Sequence, residues 1–204
     1  MTDPRPAWPV TIEAGVPGLS IRLRPLHRSD RAAWDAIRRA DAAYLGQWEP
    51  TAPDGVAAAS MSFPRYVRKL DRDARDGVSI PFAIEVAGQL AGQMQVFGIM
   101  RGSLRSAMAG YWVGSRFAGQ GVATRALAAV TSYALGPAGL HRVEVNIRPE
   151  NAASLRVVQH LRFREEGTRL RYLHIDGDWR DHRSFALTVE ETGGRPVIER
   201  WRRG

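Results

Sequence analysis

Residues 111–124 read Tyr111-Trp112-Val113-Gly114-Ser115-Arg116-Phe117-Ala118-Gly119-Gln120-Gly121-Val122-Ala123-Thr124. An apolar run reaches Gly114, a loop follows with Gly119 and Gly121 two apart, and an Ala-rich segment begins at once. The order predicts strand, tight loop, helix. Small residues let backbone N–H groups converge, and a helix N-terminus adds unpaired donors and partial positive charge. Such a loop cradles a phosphate, or it is a plain strand-to-helix turn that uses glycine for geometry. A dinucleotide fingerprint fails for lack of a third glycine at the required spacing. A nucleotide P-loop fails because no Gly-Lys-Ser/Thr occurs.

Upstream the pattern has period two. Residues 79–86 read as a strand, Ala87-Gly88 as a turn, and 90–100 and 106–113 as two further strands of a meander. Before them, residues 21–24 form a short strand that stops at Pro25. Ser29 or Asp30 can cap a helix whose face carries Ala33, Trp34, Ile37 and Ala40. A second helical region spans about 55–76, interrupted or restarted at Pro64. Downstream, residues 119–135 read as a helix ended by Gly136-Pro137. A strand over 142–147, a helix over 151–161 and a closing hairpin (164–172 and 179–189) follow. Residues 1–18 read as an irregular lead-in, 19–191 as one domain, and 192–204 as a mobile basic tail. The fold class is α+β (mixed α/β): one sheet layer with helices on its faces.

The 204 residues fit one domain. Cysteine is absent, which excludes disulfides and a thiol nucleophile, and no His/Asp/Glu spacing suggests a metal. No apolar run reaches the ~18 residues of a membrane helix and no signal peptide is evident, so a cytoplasmic protein is expected. The net charge is +8, almost all of it arginine, with Lys69 the sole lysine. A positive field favours anionic partners, among them phosphorylated cofactors and nucleic acid.

Arg116-Phe117-Ala118-Gly119-Gln120-Gly121 resembles the Arg/Gln-x-x-Gly-x-Gly/Ala loop of the GNAT superfamily of N-acetyltransferases. Arg148-Pro149-Glu150-Asn151-Ala152-Ala153-Ser154, then Phe163-Arg164-Glu165-Glu166-Gly167, is similar to the Asn-x-x-Ser…Gly-Phe-x-x-Glu-Gly segment of its RimJ/RimL branch. So is Asp178-Trp179-Arg180-Asp181-His182. The likeness spans about 21–191 and is nearest to actinobacterial RimJ-like, ribosomal-protein-alanine N-acetyltransferases. It implies a single GNAT domain with a largely antiparallel, twisted and splayed sheet flanked by helices. It implies acetyl-CoA as donor and coenzyme A as product. Trp112, Val113, Arg116, Gly119, Gln120, Gly121, Val122, Ala123, Thr124, Asn151 and Ser154 would then bind the cofactor. Two positions depart from the pattern: Arg162 replaces the usual glycine, and Ala109 stands where the branch often carries Glu.

Acetyl transfer to an amine needs a neutral amine, a donor for the developing oxyanion and a proton for the leaving thiolate. The resemblance places Ser154 beside the sulfur; the local alternative is that Asn151 caps the helix and Ser154 sits in its first turn. Strict alternation puts Glu144 on one face with Arg142 and Asn146. Glu144 is therefore a candidate base, or the partner of Arg142 or another arginine in a salt bridge. His141, His174 and His182 could titrate near neutrality, or are surface and structural histidines. Tyr44, Trp48 and Tyr172 are candidate walls for the acceptor, or core. The expected acceptor is a protein N-terminal α-amine, possibly ribosomal in origin. Protein lysine and a small-molecule amine are alternatives. An RNA- or ribosome-binding module and an acyl-CoA sensor are the non-enzymatic ones; no nucleic-acid motif supports the former.

Overall fold

The computed structural model describes residues 7–53 and 61–199. One eight-stranded sheet runs through it in the order β1-β2-β3-β4-β5-β6-β8-β7. The strands are β1 (Ile12–Glu13), β2 (Ile21–Arg24), β3 (Ile80–Val86), β4 (Gln89–Met100), β5 (Ser106–Val113), β6 (Arg142–Ile147), β7 (Arg164–Ile175) and β8 (Asp178–Thr188). All neighbours are antiparallel except β5 and β6. The helices are α1 (Arg31–Ala40), α2 (Ala42–Gly46), α3 (Phe63–Arg75), α4 (Val122–Leu135), α5 (Ala152–His160) and the single turn α6 (Val189–Thr192).

Both faces of the sheet are covered, so β3 is buried at every position. Ile80, Phe82 and Ile84 enter the larger core with α4, while Ala83 meets Phe63 and Leu70 of α3 in a smaller one. α4 is buried almost all round and carries Ala126, Ala128, Ala129 and Ala134. Such short side chains let the helix lie close against the strands.

The sheet opens at one place. β5 pairs with β6 only through Ser106–Met108 against Arg142–Glu144. From Ala109 to Val113 the backbone edge facing β6 has no ladder partner, so the two strands part. On its other side β5 stays tight against β4. A Cβ at Gly92 would lie 2.2 Å from the Trp112 carbonyl oxygen, so glycine alone permits that approach.

Several boundaries differ from the sequence reading. Within the irregular lead-in, Ile12–Glu13 pairs with β2, and Ala14 is buried. Two residues are too few to show a period. The basic tail is partly docked: Val197 is buried, and the Ile198 N–H donates to Ser132 Oγ at 3.1 Å. Residues 200–204 lie outside the described part, as do 55–60 of the second helical region. α3 starts at Phe63 and holds Pro64 in its first turn, where proline lacks no needed donor. α4 starts after the two loop glycines rather than at Gly119, because both have positive φ. Arg162 takes φ 58° where the family pattern has glycine. The turn therefore keeps its left-handed shape, at a cost of about 1–2 kcal/mol.

Candidate functional site

A cleft of about 1060 Å³ runs along the open edge of β5. One end is lined by the glycine loop and the start of α4, the other by α1, α2 and α3. A second cavity of about 400 Å³ lies toward β6, β7 and β8. Both are lined by Trp48, Pro50, Phe97, Gly110, Tyr111, Asn151 and Ser154. Separation of β5 from β6 therefore makes a passage, with Tyr111, Asn151 and Ser154 at its waist.

The loop end presents unpaired backbone donors. Gly121 is the N-cap residue of α4 at φ 76°, and no side chain caps the helix. The first intrahelical donor, the Arg125 N–H, reaches the Gly121 carbonyl. The N–H groups of Val122, Ala123 and Thr124 precede it and have no partner within the helix. Gly119, Gly121, Val122, Ala123 and Thr124 line the cleft there. Arg116 and Gln120 do not: Arg116 lies over the Phe117 ring, its guanidinium carbon 5.6 Å from the centroid, and Gln120 Nε2 donates to the Arg116 carbonyl at 2.8 Å. These two side chains shape the loop from its outer side.

Asp41 anchors the same loop, a contact that no local pattern marks. Its carboxylate is buried and accepts from the Ser115 N–H (2.7 Å) and the Ser115 hydroxyl (2.6 Å). It occupies the break between α1 and α2. Trp112 is fixed from the same side: Trp34 meets it edge-on at 5.0 Å, and Arg38 lies over its ring. Trp112 and Val113 both line the cleft.

At the waist, Asn151 caps α5 by accepting from the Ser154 N–H at 3.0 Å. The local role expected of Asn151 is present, and both residues still face the passage. The Tyr111 hydroxyl is buried beside Ser154 without a well-aligned hydrogen bond to it. Burial pushes this phenol up to about 12, with Ser154 opposing, so it keeps its proton at neutral pH.

The second cavity is walled by Trp48, Tyr172 and His182. Trp48 lies under Arg148, whose Nη1 donates to the Gln47 carbonyl at 2.9 Å. Tyr172 is crossed by Arg169 at 4.9 Å. Tyr44 is exposed and lines the larger cleft alone. The expected wall residues thus gather round one passage.

Glu144 does not join them. Its carboxylate accepts from Arg142 Nε (2.9 Å) and Arg169 Nη2 (2.8 Å) and lines neither cavity. Alternation placed it on the expected face, but two arginines hold it there, which removes it as a candidate base. His141 pairs with Glu190 and His174 with Thr51, both away from the waist. His182 differs. It is buried, its ring meets Tyr172 edge-on at 5.4 Å, and Nδ1 lies 3.0 Å from the Arg180 carbonyl oxygen. Among the described residues no cluster of three metal-ligating side chains occurs, and no helix is long and apolar enough to cross a membrane.

The family described as Acetyltransferase (GNAT) domain matches residues 20–164. The chain belongs to the GNAT acetyltransferase family. It is 39% identical to Mycobacterium smegmatis RimJ, solved in complex with CoA-disulfide, over 96% of this chain and 95% of that one, with a TM-score of 0.85. It is 30% identical to the [ribosomal protein uS5]-alanine N-acetyltransferase of Escherichia coli (strain K12), covering 81% of this chain and 88% of the relative. It is 28% identical to the probable N-acetyltransferase YjcK of Bacillus subtilis (strain 168), covering 83% and 94%. The GNAT chain is an N-acetyltransferase that uses acetyl-CoA. Its own features fit that donor: an uncapped helix N-terminus for the phosphates and an open strand edge for the amide-bearing arm.

Proposed function

We propose that this chain acetylates the N-terminal α-amine of a protein, and that the acceptor is a ribosomal protein beginning with alanine. The observation that carries this reading is the passage itself. It joins an anion-binding loop to an aromatic-walled cavity on the far side of the parted strands. A chain terminus can enter that cavity end-on while the donor lies in the larger cleft. The names of the RimJ and uS5-alanine relatives support the acceptor. Such a reaction belongs in the cytoplasm.

Acetyl-CoA supplies the acetyl group as a reactive thioester. The chain's own residues do the rest. The N–H groups of Val122, Ala123 and Thr124, with the space left by Gly119 and Gly121, hold the phosphates. The free edge of Ala109–Val113, including Trp112 and Val113, aligns the extended arm by backbone hydrogen bonds. The hydroxyls of Ser154 and Tyr111 face the waist, and either can give a proton to the departing sulfur. Trp48 and Tyr172 orient the acceptor, with Tyr44 at the mouth of the cleft. Arg116 and Gln120 keep the loop in shape.

The test is acetylation of two peptides followed by mass spectrometric location of the acetyl group. One begins with a free alanine; the other has a blocked terminus and an internal lysine. Acetyl on the alanine nitrogen alone supports the reading, and acetyl on lysine alone refutes it. Calorimetry of acetyl-CoA against Ala118→Glu tests the donor site separately. Ala118 is exposed and lines the cleft beside the loop glycines. A carboxylate there should weaken binding at least tenfold with the fold retained.

A further inference from the structure

His182 occupies a position that the acetyl-transfer reading leaves without a role. It lies on β8, on the same face as Ser184 and Asn146, which pair across β8 and β6. Ser184 Oγ donates to Asn146 Oδ1 at 2.7 Å, which fixes that wall. The imidazole is buried and lines the smaller cavity with Tyr111, Ser154 and Tyr172. A carbonyl oxygen only accepts, so the 3.0 Å contact with the Arg180 carbonyl puts the ring proton on Nδ1. Nε2 therefore carries the lone pair, and no hydrogen bond to it from a described residue accompanies the Nδ1 contact. Edge-on packing against Tyr172 restrains ring rotation.

We propose that His182 is the general base of the reaction, its Nε2 taking the proton from the acceptor nitrogen. The proposal rests on the acetyl-transfer reading of the same passage. The incoming ammonium gives one proton to Nε2 and becomes a nucleophile. Its nitrogen forms the new N–C bond as the C–S bond breaks, and its second proton ends on the departing sulfur through Ser154 or Tyr111. The protonated imidazole then returns its proton to water. Atoms and charge balance without a further reactant.

The surroundings keep the ring neutral before it acts. Burial lowers its proton affinity, the Arg180 carbonyl opposes this, Arg148 after β6 lowers it further, and Glu150 and Asp181 raise it. Tyr172 from β7 and Tyr111 from β5 are the other titratable groups on the cavity wall. The net direction is below the ordinary histidine value of 6.5. The free base is thus the resting form at pH 7, and the ammonium of an N-terminus, with pKa about 7.7–8.0, is the proton source.

The experiment combines ¹⁵N NMR of the full chain without donor and steady-state kinetics of wild type, His182→Gln and His182→Ala. The expected spectrum shows His182 protonated at Nδ1 only, titrating below pH 6.5, and shifting when an alanine peptide is added. The expected kinetics are a fall in kcat of about 10²–10⁴-fold in both variants. Affinity for acetyl-CoA should be unchanged by calorimetry, the acidic limb of the wild-type pH profile should be lost, and added imidazole should partly rescue His182→Ala. A structural role would not give that rescue. An Nε2-protonated tautomer, or His182→Gln within threefold of wild type, overturns the proposal. Wild type that binds acetyl-CoA but leaves the alanine peptide unmodified refutes the acceptor assignment instead, and the tautomer then decides the case of His182 on its own.

Discussion

Replacing Asp41 by alanine tests whether the glycine loop is held from outside. Asp41 is 8% exposed and its two oxygens accept from both polar groups of Ser115, at 2.7 and 2.6 Å. A hydrogen bond to a charged group contributes about 1.5–3 kcal/mol, so the pair contributes roughly 3–6 kcal/mol at face value. Two offsets reduce this. Ser115 is exposed and recovers water when the carboxylate is gone, and alanine removes the cost of burying a charge. The net loss is about 2–3 kcal/mol. For a chain of this length, that is a fall in Tm of about 4–12 °C. Asp41→Asn keeps one acceptor oxygen and should lose about half as much. The loop also carries the N–H groups proposed to hold the phosphates, so Asp41→Ala should weaken acetyl-CoA binding about tenfold or more by calorimetry. Urea unfolding supplies the stability term. If Asp41→Ala unfolds within 0.5 kcal/mol of wild type (about the effect of an ordinary surface change) and binds acetyl-CoA equally well, the loop needs no such anchor and the reasoning is refuted.

Tyr111→Phe removes a buried hydroxyl that has no well-aligned partner, so stability should stay within about 0.5 kcal/mol of wild type while kcat falls. Thermal unfolding and initial rates check the two halves; unchanged rates would leave Ser154 as the sole donor at the waist. A separate test concerns acid. Arg24 donates to Glu85 (2.6 Å) and Asp30 (2.8 Å). Its hydrogen bond holds Glu85 below the usual carboxylate range against burial. In Asp30 burial pushes upward, but Arg24 and the His27 N–H outweigh it and the net direction is down. Both folded values lie below the unfolded ones, so this stabilisation is complete above about pH 5 and disappears as pH falls through the folded values. The urea midpoint should therefore drop on acidification, and drop less in Arg24→Met; equal pH slopes in the two proteins would refute the pairing.

The strands and helices were legible because their periods are local. Meander, glycine loop, crossover helix and final hairpin all lie within a few residues of their predicted ends. What could not be read is how they are set side by side. The closing hairpin inserts β8 beside β6 and leaves β7 at the edge, an order set by contacts between distant segments. Nothing local marks the point where β5 leaves β6. That break is a matter of where a parallel pair stops, and only the three-residue register shows it. The docked end of the tail is illegible for a simpler reason. Val197 and Ile198 are two apolar residues in a run of charge, too few for a pattern.

The two sides of the site differed in legibility for the same physical reason. The side proposed for the donor is one continuous segment, 112–124, extended by the Asn151–Ser154 turn, so the resemblance to the GNAT loop covers its residues in order. The acceptor side is assembled from segments near 44–50, 145–148 and 172–182, and a residue's role there depends on which neighbour reaches it first. Glu144 and His182 show this. Both were visible as ionisable groups on strands. Arg169, twenty-five positions from Glu144, satisfies one of its oxygens while Arg142 takes the other. His182 spends its one ring proton on a carbonyl two residues away. A long arginine can neutralise a carboxylate from across a sheet, whereas a histidine bonded to its own strand by one nitrogen keeps the other free of that bond. In a chain whose cations are nearly all arginine, carboxylates are the groups most readily taken up in ion pairs, as Glu49, Glu85, Glu144, Glu165 and Glu166 are here. The base is therefore better sought among groups that arginine does not bind.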